Sequence, residues 1–169
     1  MRILGIDPGS IATGWGIVES EGSALRHVAS GVLRPPDADA ARRLARIQLE
    51  LTELVVEFAP HTAALEAVFV ARNPRAALKL GQARGEALAV CGRAGLEPAE
   101  YAPARVKGAV AGYGAADKAQ VQAMVCRLLG LARAPARDAA DALAIAICHG
   151  AQCRTALRRG APAVRGARA

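Results

Sequence analysis

Three strand-like segments follow one another at the start of the sequence, at residues 2–6, 13–19 and 25–33. Each is rich in apolar residues, and short turns separate them. Consecutive strands joined by short turns pair as antiparallel neighbours, and Pro35 and Pro36 end the run because proline cannot donate to a strand ladder. The opening of the chain therefore predicts an antiparallel meander.

The rest of the chain alternates helix signals with two further strand signals. Apolar residues recur at helical spacing until Pro60, and Asp37 or Asp39 can cap this first helix. Two further strands are predicted, at 62–69 and 98–102. A helix is predicted at 73–95, with Asn73 as its cap and Pro74 at its first position. Three more helices are predicted to start at about residues 103, 117 and 138. This order predicts an α/β fold with a mixed sheet flanked by helices, and it disfavours a sandwich or barrel.

The composition suits one globular domain with a core of small aliphatic residues. Hydrophobic residues make up 53% of the 169-residue chain, whereas aromatic residues make up only 3%. We find neither a signal peptide nor an apolar run of the roughly 18 residues that cross a membrane. We therefore expect a cytoplasmic protein without a membrane partner. The four cysteines form no CxxC pair, and we expect buried thiols rather than zinc ligands or disulfides.

The net charge of +7 is unevenly distributed along the chain. Residues 154–169 hold five arginines and no acid, and residues 71–93 and 101–137 are also strongly basic. Clustered basic residues favour a polyanionic partner such as nucleic acid. The alternative, a solvated basic face followed by a disordered tail, remains open.

Four acidic residues lie in unusual surroundings. Asp7 follows the first predicted strand, Glu66 lies inside an apolar strand, and Asp138 and Asp141 share one face at the start of an apolar helix. Each has an ordinary alternative: a turn residue, a buried ion pair, or a helix start with Asp138 as cap. If the four converge, their mutual repulsion requires a neutralising cation, and carboxylate oxygens select magnesium or manganese. Such a site beside basic segments indicates phosphodiester cleavage.

Four motifs, "GIDPGS", "LEAVF", "ALKLGQARG" and "DAADALAIAICH", resemble in order and spacing those of the RuvC family of Holliday junction resolvases. The resemblance covers residues 1–153 and implies a ribonuclease H-like α/β fold. That fold has a five-stranded mixed sheet, its first three strands antiparallel, with helices on both faces. The basic tail at 154–169 matches no motif, and we expect it to be disordered.

The resemblance also implies an activity and a set of site residues. Asp7, Glu66, Asp138 and Asp141 would be the catalytic ligands of two Mg²⁺ ions, with Mn²⁺ as a substitute. The enzyme would resolve four-way DNA junctions by paired symmetric nicks that leave 5′-phosphate and 3′-hydroxyl ends. The residues implicated in DNA binding, by the resemblance or by their place in a basic segment, are Phe69, Arg72, Arg75, Lys79, Lys107 and Lys118. Without the resemblance, a core position is favoured for Phe69, and the two lysines could be solvated.

Paired nicks imply a two-fold homodimer, because two symmetry-related strands must be cut. Leu78, Gly81 and Gly85 lie along one side of the helix predicted at 73–95, and each glycine costs about 1 kcal/mol in a helix interior. The glycines could permit close approach to a partner subunit or to the protein's own sheet. The resemblance further implies the RuvA and RuvB branch-migration proteins as partners. A YqgF-like RNA-processing nuclease, a related ATPase and a noncatalytic junction-binding scaffold are the alternative functions.

Overall fold

A mixed sheet of five strands organises the fold. The computed structural model describes residues 1–9, 11–36, 39–67 and 74–160. Its strands are β1 (Arg2–Asp7), β2 (Thr13–Glu21), β3 (Ala24–Leu33), β4 (Thr62–Glu66) and β5 (Ala99–Tyr101). The sheet order is β3-β2-β1-β4-β5, with antiparallel pairing from β1 to β3 and parallel pairing from β1 through β4 to β5. The predicted meander and the mixed sheet are confirmed.

Helices cover both faces of this sheet. They are α1 (Ala40–Phe58), α2 (Pro74–Arg93), α3 (Pro103–Ala111), α4 (Lys118–Leu129) and α5 (Arg137–Arg158). Side chains alternate between the faces along a strand. On β4, Ala63 and Leu65 therefore pack with α1 and α2, whereas Ala64 packs with α3, α4 and α5. The helices on both faces are as the ribonuclease H-like fold requires.

The predicted helix starts are confirmed where the structure describes them, and the alternative that Asp138 caps α5 is not. Asp39 caps α1 by accepting a hydrogen bond from the amide of Arg42 at 2.9 Å, and Asp117 caps α4 in a reciprocal pair with Gln120. Pro74 is the first residue of α2, while Asp37 and Asn73 lie outside the described residues. Asp138 does not cap α5, which begins at Arg137 after Ala136. Its carboxylate instead faces the guanidinium of Arg34, so it is not available to the backbone.

Helix α5 lies unusually close to the sheet. A Cβ atom added at Gly5 would lie 2.1 Å from the carbonyl oxygen of Ala142, and one added at Gly14 would lie 1.9 Å from that of Asp138. Only glycine permits this approach, and it sets the first turns of α5 directly over β1 and β2.

Two predicted boundaries differ from the structure. Strand β4 ends at Glu66, and the predicted extension to Phe69 falls partly outside the described residues. Helix α5 continues to Arg158, so residues 154–158, predicted as the start of the tail, are helical. The four cysteines are free thiols. Among the described residues, no helix is long and apolar enough to span a membrane.

Candidate active site

The four predicted acids come together at one edge of the sheet. Asp7 is the last residue of β1 and Glu66 the last residue of β4, and these parallel neighbours pair with Ile6 opposite Leu65. Asp7 and Glu66 therefore lie side by side. Asp138 approaches from α5, because its backbone contacts Gly14, the residue that pairs with Asp7 across β1 and β2. Asp141 follows one turn later on the same helix.

Burial and mutual repulsion act on the carboxylates of this cluster. Burial, together with the charges of Asp141, Glu66 and Asp138 in that order of size, raises the pKa of Asp7 to about 7. Burial also raises the pKa of Glu66, and Asp141 adds to the rise. The cluster therefore disfavours the negative charges of Asp7 and Glu66, and a bound cation would relieve this effect.

Two lysines lie in a cavity beside the acids. The cavity, about 280 Å³ in volume, is lined by Glu66 and Asp141 together with Lys107 and Lys118, and its walls are largely apolar. The Lys118 ammonium lies 3.3 Å from the Asp141 carboxylate. Lys107 and Lys118, both implicated in DNA binding by the resemblance, therefore line the same cavity as two of the four acids.

Arg34 is a further cation at the site, and sequence reasoning missed it. Its guanidinium lies 3.3 Å from the carboxylate of Asp138. A signal was present: in an antiparallel meander the first and third strands end at the same edge, so the residue after β3 lies at the same edge as Asp7.

The donor chemistry of the cluster fits a hard divalent cation. All four candidate ligands are carboxylates, which suit Mg²⁺ or Mn²⁺, and the cluster lacks the thiolate and imidazole donors that zinc prefers. Among the described residues, no group of three acidic, histidine or cysteine side chains has the arrangement of a metal site as the side chains now stand. Two of the four carboxylates, those of Asp138 and Asp141, face Arg34 and Lys118 instead.

The other predicted site residues lie on or near α2. Arg75, Leu78 and Lys79 are exposed in its first turns, and Leu78 retains 66% exposure. Gly81 and Gly85 are exposed, and a Cβ atom at either would meet no described residue within 4 Å. Phe69 and Arg72 lie outside the described residues.

Known proteins similar to this chain share one family. The family described as "Crossover junction endodeoxyribonuclease RuvC" matches residues 3–149. The relative from Halorhodospira halophila is 59% identical over 88% of this chain and 89% of its own, and that from Alkalilimnicola ehrlichii is 55% identical over 88% and 90%. Both carry the family's description as their name.

Solved structures resemble the fold closely. The structure of Thermus thermophilus RuvC in complex with Holliday junction substrate superposes with a TM-score of 0.87 at 37% identity, covering 92% of this chain and 96% of its own. The yeast mitochondrial Holliday junction resolvase Ydc2 superposes with a TM-score of 0.65 at 14% identity, covering 93% of this chain and 82% of its own. This likeness shows the fold alone.

Proposed function

The chain belongs to the RuvC family of crossover junction endodeoxyribonucleases, and from this membership we propose that it is an endonuclease that resolves four-way DNA junctions. It would act in recombination and repair by cutting two strands at symmetric positions. Support comes from the family match over residues 3–149 and from the likeness to a relative solved with a Holliday junction substrate. These matches do not favour a YqgF-like RNA-processing nuclease or a noncatalytic scaffold.

One observation carries the proposal for the site: four carboxylates from three separate elements meet beside a cavity with two lysines. Acids that only stabilised the fold would have little influence on one another, whereas here the acids interact even though Asp138 and Asp141 each face a base. Here burial and three neighbouring carboxylates all raise the pKa of Asp7. Such an arrangement opposes folding, so a role in binding cations explains it better than a role in stability.

Asp7, Glu66, Asp138 and Asp141 would together hold two Mg²⁺ ions, and Mn²⁺, which takes similar oxygen ligands, would substitute. When bound, such ions activate a water for in-line attack and stabilise the leaving 3′ oxygen, which yields 5′-phosphate and 3′-hydroxyl ends. The protein's own contribution is to hold the carboxylates on rigid strand ends and a long helix. Asp138 and Asp141 would exchange their pairing with Arg34 and Lys118 for the ions.

The lysines would then bind the DNA. Lys107 and Lys118 line the cavity next to Glu66 and Asp141, where a phosphate entering the site would pass within reach of both. Arg75 and Lys79 on α2 would extend the basic surface. Contact of Arg72 with phosphate and stacking of Phe69 on an unpaired base stay predictions from sequence.

The enzyme would work as a two-fold homodimer that uses the exposed side of α2. Leu78 is exposed, and no described residue lies within 4 Å of a Cβ atom added at Gly81 or Gly85, which supports a contact with a partner subunit over packing on the protein's own sheet. A second copy of α2 could lie against this side and bury Leu78. Close approach of the two helices would explain two glycines in a helix interior, each costing about 1 kcal/mol.

Family membership also leads us to propose the RuvA–RuvB branch-migration complex as a partner and the cytoplasm as the place of action. We assign no surface of this chain to that complex.

Cleavage assays on three substrates would test the proposed function. The purified protein is incubated with Mg²⁺ and a four-way junction, a linear duplex of the same sequence, or a structured RNA. We expect paired nicks in the junction that a ligase can reseal, and little cutting of the other two. Cutting of RNA in preference to the junction would support the RNA-processing alternative, and binding of the junction without nicks would support the scaffold.

A further inference from the structure

Arg34 occupies the side of the acid cluster away from the two lysines. Lys107 and Lys118 lie beside Glu66 and Asp141 in the cavity, towards β4. Arg34 follows β3, which is the outermost strand on the side of β1 opposite β4. Its side chain pairs with Asp138. The acids therefore have cations on both sides: Lys107 and Lys118 beside Glu66 and Asp141, and Arg34 beside Asp138.

The pairing of Arg34 with Asp138 does not account for an arginine at this position. The Arg34 side chain is 61% exposed, and the separation of 3.3 Å is long for a charge-assisted hydrogen bond. Exposed ion pairs of this kind contribute little to stability. The partner is also one of the acids proposed to bind metal, so the pair would break whenever a cation takes Asp138.

We propose that Arg34 binds a backbone phosphate adjoining the scissile one, on the side of the site opposite Lys107 and Lys118. The inference rests on the proposed function and adds a phosphate subsite to it. The planar guanidinium can grip a phosphate through two parallel hydrogen bonds. Contacts on both sides of the scissile bond hold the strand in line for attack, which a contact on one side cannot do alone.

Substrate chemistry and side-chain chemistry can be combined to test this contact. Single phosphates on each side of the cut are replaced, one per junction, by an uncharged methylphosphonate. The scan is run with the wild-type protein, with Arg34→Gln and with Arg34→Lys. We expect one position on one side of the cut at which the wild type loses on the order of tenfold in cleavage rate. Arg34→Gln should lose a similar factor on the unmodified junction and nothing further at that position.

Arg26→Gln is the matched control. Arg26 lies at the opposite end of β3, is 67% exposed, and pairs with Glu19. Like Arg34 it is an exposed arginine paired with an acid, but it is far from the cluster. This variant should retain the wild-type cleavage rate and the wild-type response to every methylphosphonate, and Arg34→Lys should recover part of the rate lost in Arg34→Gln.

A binding measurement keeps the inference separate from the proposed activity. In an Asp7→Asn background, which should bind without cutting, the slope of log affinity against log salt should fall by about one when Arg34 is replaced by Gln. A wild-type protein that never nicks junctions would defeat the proposed function, and this slope would still test the phosphate contact. The scan with Arg34→Gln could also overturn the inference. It would do so if, at every methylphosphonate position, the loss in cleavage rate equalled the product of the loss from Arg34→Gln alone and the loss from the methylphosphonate alone. So would a variant whose only change is the Mg²⁺ concentration needed for cleavage, because Arg34 would then act on Asp138 alone.

Discussion

Gly14 permits the first turn of α5 to lie close against the sheet. Its missing side chain leaves room for the carbonyl oxygen of Asp138, which would lie 1.9 Å from an added Cβ atom. Gly14 also pairs with Asp7 across β1 and β2, so one glycine sets the spacing between two of the four acids. Backbone atoms cannot move aside as a flexible side chain can, and any larger residue must push α5 away from the sheet.

Replacing Gly14 by alanine should therefore damage both stability and activity. We expect Gly14→Ala to lower the free energy of unfolding by about 1 to 3 kcal/mol, the usual cost of overpacking, and to slow junction cleavage because Asp138 is displaced. Denaturant unfolding and cleavage rates measure the two effects. In Gly108→Ala, the control, the added atom meets its nearest neighbour at 3.9 Å, and stability should be unchanged or slightly higher. A Gly14→Ala protein as stable and as active as the wild type would contradict this account.

His149 is a buried polar residue with two hydroxyl partners. Its Nε2 lies 2.9 Å from the hydroxyl of Thr62, and its Nδ1 lies 2.7 Å from that of Tyr101. A neutral imidazole has one donor and one acceptor nitrogen, so it can satisfy both hydroxyls. Burial lowers the pKa of His149 to about 4 because the site disfavours the imidazolium charge.

The stability of the protein should accordingly fall as the solution is acidified. Between pH 6.5 and about 4 the unfolded chain binds a proton at His149 that the folded protein does not, so the free energy of unfolding decreases as the pH falls. The full effect is at most about 3 kcal/mol. Denaturant unfolding at several pH values, compared between the wild type and His149→Gln, isolates this contribution. If the stability of the two proteins depended equally on pH, His149 would bind its proton equally well in the folded and the unfolded wild type.

Helix α2 carries the proposed subunit contact. Leu78 is exposed, and the open space over Gly81 and Gly85 would accept a second copy of the helix. A large side chain at Gly81 should block that approach without disturbing the fold, since no described residue of the same chain lies within 4 Å of the new Cβ atom.

Gly81→Leu should produce monomers that melt normally but cut junctions slowly and without paired nicks. Sedimentation velocity measures the mass, and a circular junction substrate separates paired from single cuts. Ala123→Leu, which adds the same side chain at an exposed position of α4, should stay dimeric. A dimeric Gly81→Leu protein would place the subunit contact elsewhere.

Local signals predicted most helices and strands. Pro60 ends the region of α1, Asp117 marks the start of α4, and alternating apolar residues mark the meander. The role of Asp138 was not predictable in this way, because a helix cap and a site residue occupy the same place in the sequence. The choice depends on Arg34, which lies 104 residues away along the chain.

The end of α5 was missed for a similar reason. Arginines after Cys153 suggested a solvated tail, but arginine is also a good helix former. Arg154 donates a hydrogen bond at 3.2 Å to the hydroxyl of Ser20, a contact that no local pattern reveals.

At the scale of the whole molecule, the site exists only because distant parts of the chain share one edge of the sheet. Sequence patterns alone indicated four unusual acids, and only the family motifs predicted that they meet. The fold brings together β1, β4 and α5 at the cost of placing like charges near one another. Function and stability therefore oppose each other at this edge, as is common for binding sites built from like charges.

Removing one charge from the cluster should stabilise the protein when no metal is bound. The folded-state pKa of Asp7, about 7, lies above its ordinary value of 3.8, so ionised Asp7 destabilises the fold as the pH rises through that range. At pH 8 without metal, we expect Asp7→Asn to raise the free energy of unfolding by about 2 kcal/mol, a value reduced for partial solvent exposure.

The same substitution should weaken the response to metal. Mg²⁺ should raise the melting temperature of the wild type, because a ligand that binds only the folded state stabilises it, and should raise that of Asp7→Asn much less. Nicking should be lost while junction affinity stays within several-fold, since most affinity comes from basic contacts to phosphate. Asp39→Asn, which preserves the cap of α1 and is not one of the four acids, should match the wild type in every assay. Melting curves with EDTA and with Mg²⁺ test both expectations. If Asp7→Asn were less stable than the wild type without metal, Asp7 would support the fold. If Mg²⁺ raised the melting temperature of Asp7→Asn as much as that of the wild type, Asp7 would not be one of the proposed metal ligands.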